Sequence, residues 1–196
     1  MRLYSYVVTK DSGLAPNPFW GYCTVAVCTP NHMGIRAEPG DWLMGTTSTR
    51  RGGNLLYAMR VSEVLGFDEY YSDPRFQKKK PDVHGTWRQR CGDNMYYKDD
   101  TGEWKQCPTL HHRDAEVKKK DLRYPRVFIA EHFYYFGSEA VEVPPEYESL
   151  ILRQQGCKWR HDPEVVKGFL HWLEANFDPG IHGVPHDNGE AESCDC

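Results

Sequence analysis

No stretch of this sequence is apolar for long enough to cross a bilayer. The first ten residues, MRLYSYVVTK, carry one early positive charge and a short mixed apolar run, so they read as neither a signal peptide nor a membrane span. Several chemical signatures are also missing. There is no Gly-x4-Gly-Lys-Ser/Thr phosphate loop, no dinucleotide-binding glycine fingerprint, no His-Glu-x2-His metalloprotease motif and no nucleophile triad. Catalysis is therefore not implied by any motif, and no cofactor is expected. No Cys-x2-Cys pair occurs. The seven cysteines, an odd number at irregular spacing, do not form a secreted disulfide framework, which points to a reducing cytoplasm. Internal repeats and linkers are lacking too, so residues 1–187 are expected to form one α+β domain, followed by a frayed acidic tail over 188–196.

The formal net charge of −4 excludes strong nucleic-acid affinity from bulk electrostatics. Its distribution is uneven, however. Arg75, Lys78, Lys79, Lys80, Arg88 and Arg90 face only Asp82 along their stretch, and Lys118, Lys119, Lys120, Arg123 and Arg126 make a second basic run. These runs are either a basic face or ordinary solvated loops. Aromatics are abundant, with 12 Tyr, 8 Phe and 6 Trp in 196 residues. Such rings build cores and also stack on bases. A chain of this length buries about 70% of its unfolded surface and can hold a pocket.

Residues 3–9, 22–28 and 42–45 read as strands from their aromatic and β-branched content. Residues 31–38 leave room for a helical turn or two. Residues 55–64 read as one longer strand with both faces partly covered, or with a bulge. The segment YYSDPRFQKKKPDVHG shows no period and is expected to be loop with one short element. CGDNMYYKDDTGEWKQC predicts a hairpin, with strands at 95–97 and 104–106 around the turn Asp99-Asp100-Thr101-Gly102. Two further strands are expected at 126–130 and 133–136. The clearest helix spans 163–176, capped by Asp162, opened by Pro163 and apolar at Val165, Val166, Phe169, Leu170 and Leu173. Together these predict an α+β fold in which a curved or closed mixed β-barrel carries peripheral helices.

Candidate sites follow from local chemistry. In GDWLMGTTSTRRGGNLLYAMRVSEV the turn at 50–53 is either a plain hairpin or a phosphate rim, with Arg50 and Arg51 assisting glycine backbone donors. NPFWGYC crowds Phe19, Trp20 and Tyr22 at a loop-to-strand junction. These rings are core, or they sandwich a base whose edge Asn17 reads. Asp93 and Asn94 either point into a cleft or cap the hairpin backbone. Asp93, His111 and Glu131 are the candidates for acid–base chemistry, without a motif that joins them. Cys91, Cys107, His111 and His112 have zinc-ligand chemistry, yet the fifteen residues between the cysteines make a loose spacing. No metal site is assigned.

The ordered segments NPFWGYCTVAVCTP, IRAEPGDWLMGTT, LLYAMRVSEVLGFDEYYSDPRFQKKKPD, QRCGDNMYYKDDTGEWKQ, DLRYPRVFIAEHFYYFG and GFLHWLEANF are similar to the nucleotide modification associated domain 2 family of bacteria and phages. That resemblance implies a link to DNA base modification and brings no catalytic residues with it. More distantly, GDWLMGTT with LLYAMRVSEV and the following Asp73-Pro74 resembles PUA-like domains of the EVE and YTH type, which read an unusual base in an aromatic pocket. It implies a barrel strand at Trp42 and a pocket near Asp73 and Pro74. The expected function is then recognition of a modified nucleotide or base. Asn17, Phe19, Trp20, Tyr22, Trp42, Asp93 and Asn94 would line the base site, and Arg50, Arg51, Lys78, Lys79, Lys80 and Arg90 would meet phosphates. Expected partners are a modified nucleotide or DNA, or RNA, and proteins of a base modification system, with no membrane. A nucleotide-processing enzyme and a partner-binding subunit are the alternatives.

Overall fold

A computed structural model describes residues 1–27 and 34–187. In chain order, β1 (Leu3–Val7), β2 (Cys23–Val25), β3 (Trp42–Thr46), β4 (Leu55–Arg60) and β5 (Glu63–Gly66) come first. Next are α1 (Phe67–Ser72), a 3-10 segment (Pro74–Lys79), α2 (Trp87–Arg90), the strands β6 (Tyr96–Lys98) and β7 (Trp104–Gln106), and α3 (Ala115–Asp121). The chain closes with β8 (Arg126–Ala130), β9 (His132–Tyr135), a 3-10 segment (Pro145–Leu150), β10 (Cys157–Lys158), α4 (Pro163–Asn176) and β11 (Gly180–Ile181). The end of the second expected strand at Cys28, the start of the helical turn expected from Asn31, and the acidic tail lie outside the described residues.

Three sheets form. A mixed six-stranded sheet has the order β10-β1-β3-β4-β9-β11, β2-β8-β5 make a second sheet, and β6-β7 are the expected hairpin. The barrel predicted from the sequence is not there. The large sheet ends in edges at β10 and β11, the small one at β2 and β5, and neither closes on itself. The physical reason lies in the stretch expected to be one long strand. Its first half, β4, pairs with β3 and β9, whereas its second half, β5, pairs with β8. Between them Val61 and Ser62 carry the chain from one sheet to the other, and both the Ser62 amide and hydroxyl donate to the Ile129 carbonyl. The sheets therefore lie face to face as layers. Trp42 is on a strand, but of an open sheet, and the PUA-like barrel architecture falls with this correction.

Alternate residues of each strand supply different layers of core. Tyr4, Tyr6, Leu43, Tyr57, Met59, Phe133 and Tyr135 meet Cys23, Val25, Phe128 and Ala130 between the two sheets. On the far side of the large sheet, Leu3, Trp42, Met44, Ala58 and Tyr134 pack against Val166, Phe169, Leu170 and Leu173 of α4. That helix begins as its sequence dictates, with Asp162 accepting from the Glu164 amide at 2.9 Å and Pro163 in the first turn. On the far side of the small sheet, Val127 and Ile129 pack on Phe67, Tyr70, Phe76, Met95 and Tyr96. This outer layer carries the segment expected to be mostly loop. Asp73 ends α1 and caps the 3-10 segment, accepting from the Arg75 amide at 2.8 Å. Among the described residues no helix is long and apolar enough to cross a membrane.

Candidate functional site

A cleft of about 490 Å³ opens on the outer layer. Trp20 forms one wall, Gln77, Lys78 and Lys80 a second, and Pro81, Asp82 and Gln89 complete it. That volume lies within the range of small-molecule sites. Lys78 Nζ stands 5.9 Å from the centre of the Trp20 ring, and Lys80 Nζ sits 3.5 Å over Tyr71, which stacks on Tyr97 at 4.5 Å. Trp20, Lys78 and Lys80 thus line one concavity. Trp20 takes a left-handed backbone conformation, φ +65°, which costs a side-chain-bearing residue on the order of 1–3 kcal/mol. Its indole Nε1 is buried without an acceptor among the described residues.

Behind the cleft lies a buried polar knot that holds this wall in place. Lys79 is 1% exposed, and its Nζ donates to the Asn17 carbonyl, the Asn17 Oδ1 and the Tyr22 carbonyl, each at 2.9 Å. Three acceptors match the three protons of an ammonium. Burial pushes its pKa down to about 8, opposed by the attraction of the Asp93 carboxylate. Asp93 accepts from the Thr24 hydroxyl at 2.6 Å and the Tyr70 hydroxyl at 2.8 Å, and burial raises its pKa despite Lys79 and these donors. Asn94 donates to the carbonyls of Tyr70 and Phe76, at 3.0 and 3.1 Å, joining α1 to the 3-10 segment. The backbone here is pressed so closely that a Cβ at Gly92 would stand 2.4 Å from the Pro81 nitrogen and 2.6 Å from the Lys79 carbonyl oxygen. Only glycine fits.

Of the base-site residues expected from the sequence, Trp20 reaches the cleft. Phe19 packs edge-on against Trp87 at 5.4 Å, and Tyr22 edge-on against Phe76 at 5.1 Å. Asn17, Asp93 and Asn94 stand together in the buried knot. Trp42 is 2% exposed on the α4 side of the large sheet, beside His132 and Tyr134. Of the phosphate candidates, Lys78 and Lys80 line the cleft and Lys79 is turned inward. Arg50 and Arg51 lie on a 3-10 turn between the antiparallel strands β3 and β4, with Arg51 3.6 Å from Asp187. Arg90 sits on α2 with its Nε buried. Asp93, His111 and Glu131 do not line the cleft; Glu131 is exposed between β8 and β9. The Cys91 thiol contacts the Ser12 carbonyl, Cys107 the Tyr71 hydroxyl, and His112 Nδ1 the Asp121 carboxylate at 2.5 Å. Among the described residues no group of three His, Cys, Asp or Glu side chains could hold a metal ion.

Sequence reasoning missed Thr24, Tyr70 and Tyr71 as well as the polar rim of Gln77, Asp82 and Gln89. One signal was available: Thr86-x-x-Gln89 is a capping-box pattern, and the Gln89 side chain does accept from the Thr86 amide at 3.0 Å.

The fold is a layered α+β domain whose outer layer carries a cleft lined by an aromatic ring and two lysines. The model of the family called nucleotide modification associated domain 2 matches residues 1–192, and the chain belongs to that family. No curated protein and no solved structure matched this chain.

Proposed function

We propose that this protein recognises a modified nucleotide, or a modified base within nucleic acid, in a DNA base modification system. The observation that carries the reading is the meeting of Trp20 with Lys78 and Lys80 in one cleft of nucleotide dimensions. A base stacks on the indole while the ammonium groups meet its phosphate. A base in a duplex must first be flipped out to enter, and a single strand presents it directly. Family membership supports the link to nucleotide modification.

The test is titration of the folded protein and its Trp20→Ala variant with modified and unmodified nucleotides and short single-stranded DNA and RNA. Loss of the stacking ring is expected to weaken binding by about 1–3 kcal/mol while far-UV circular dichroism stays unchanged. Undiminished binding by a folded Trp20→Ala protein sinks the proposal.

A further inference from the structure

The polar rim of the cleft carries a fixed pattern of donors and acceptors. Gln89 Oε1 accepts from the Thr86 amide at 3.0 Å and from its hydroxyl at 2.9 Å. A backbone N–H can only donate, so this side-chain amide has one permitted orientation, and Nε2 is the end left for a ligand. Gln77 is oriented the opposite way. Its Nε2 donates to the carbonyls of Tyr71 at 3.0 Å and Asp73 at 2.8 Å, which leaves Oε1. Asp82 uses Oδ1 to accept from the His84 amide at 3.0 Å, which leaves Oδ2. Asp82 and Gln89 are also tied together, the Asp82 amide donating to the Gln89 carbonyl at 3.0 Å. Both side chains flank Gly85, where a Cβ would stand 2.9 Å from Gln89 Oε1 and 3.0 Å from Asp82 Oδ2.

With Trp20 given to stacking and the Lys78 and Lys80 ammonium groups to the phosphate, the side chains left on the rim offer one donor group, Gln89 Nε2, and two acceptors, Gln77 Oε1 and Asp82 Oδ2. The Watson–Crick edges of the bases differ in what they require. Cytosine offers one donor group and two acceptors; thymine offers one donor between two acceptors; adenine offers one donor and one acceptor. Guanine alone offers one acceptor, its O6, beside two donors, N1–H and the exocyclic amine. Resting on the nucleotide reading of the cleft, we infer that the site selects a nucleotide bearing a guanine-type Watson–Crick edge, with Asp82 as the specificity-determining residue. Gln89 donates to O6, and Asp82 and Gln77 accept from N1–H and the amine. Gln77 and Asp82 are exposed, so an edge that lacks a matching group is disfavoured by the bond it does not form and not by a buried mismatch.

The experiment is calorimetric titration of the full chain, and of its Asp82→Asn and Trp20→Ala variants, with dGMP, dAMP, dCMP, dTMP and dIMP. dGMP is expected to bind at least about tenfold more tightly than the other three common nucleotides. dIMP, which lacks only the amine, falls in between. Asp82→Asn keeps the acceptor for the His84 amide, and is expected to lower dGMP affinity to that of the other common nucleotides, so that the preference is lost. Equal affinity for all four common nucleotides, or a dGMP preference untouched by Asp82→Asn, overturns the inference and leaves the stacking reading standing. Absence of nucleotide binding, or binding that survives Trp20→Ala, overturns the stacking reading and this inference with it.

Discussion

Lys78, Lys79 and Lys80 are consecutive and chemically identical, yet they end in three environments: above an indole, inside a polar knot, and over a tyrosine ring. Only the middle one is needed to hold the structure. Removing it in Lys79→Met strands three buried acceptors and deprives Asp93 of its nearby positive charge. A loss of about 3–5 kcal/mol is expected, measured by urea denaturation, with Lys78→Ala nearly neutral in the same assay. The sequence shows the three as a single basic run. It contains no local signal that separates them, because which lysine turns inward depends on where Asn17 and Tyr22 arrive from sixty residues away in the chain. Phe19, Trp20 and Tyr22 were legible together as rings crowded beside proline and glycine, whereas the separation of Trp20 from the other two depends on the partners Trp87 and Phe76, which only the fold brings near.

At the scale of elements, the hairpin of β6 and β7 was legible because its turn residues have a mechanism. Asp99 Oδ1 accepts from the Thr101 hydroxyl at 2.6 Å and from the amides of Thr101 and Glu103 at 2.9 and 3.0 Å. The hydroxyl bond foremost, then those amides and Lys105, hold the Asp99 carboxyl down at about 2, below its ordinary 3.8. The folded-state value lies below the unfolded one, so the contribution of this carboxylate to stability is present above pH 3.8 and is lost as pH falls through 2. In an NMR titration the amide signals of Thr101 and Glu103 are expected to move together with a midpoint near 2; a midpoint near 4 would show that the turn does not engage this carboxylate. Helix α4 was equally readable, since its cap, its proline and its apolar stripe agree. The short α1, α2 and α3 were not, for a helix of one or two turns has too few residues to display a period and is stabilised by what it packs against.

Across the whole molecule, strands lying between two buried layers lose the alternation that makes a strand recognisable. Every residue of β1 and of β3 is buried, so the sequence revealed strands without revealing what covered each face, and many short strands were read as a curved or closed barrel in place of stacked sheets. The inner face of the large sheet is tight at Gly45, paired across the ladder with Tyr57, whose ring lies where a side chain would go. A Cβ there would stand 2.3 Å from the Tyr57 ring and 2.7 Å from Val8 Cγ2. Gly45→Ala is expected to cost about 1–3 kcal/mol through overpacking, and each kcal/mol lowers the melting temperature by about 2–4 °C in a chain of this size. Scanning calorimetry reads this directly, and an unchanged transition would mean that Tyr57 and Val8 do not crowd Gly45 as described.

The passage of the chain through Val61 and Ser62 makes the large sheet the foundation of the cleft. β5 leaves that crossing, runs without a spacer into α1, and α1 leads through Asp73 into the segment bearing Gln77, Lys78 and Lys80. Since β4 is clamped by ladders on both sides and Ser62 is pinned twice to Ile129, little slack exists along this route. On the proposed function, a nucleotide is expected to meet a recess already in its final shape. Association then needs no rearranging step, and the entropic cost of ordering the walls has been met during folding.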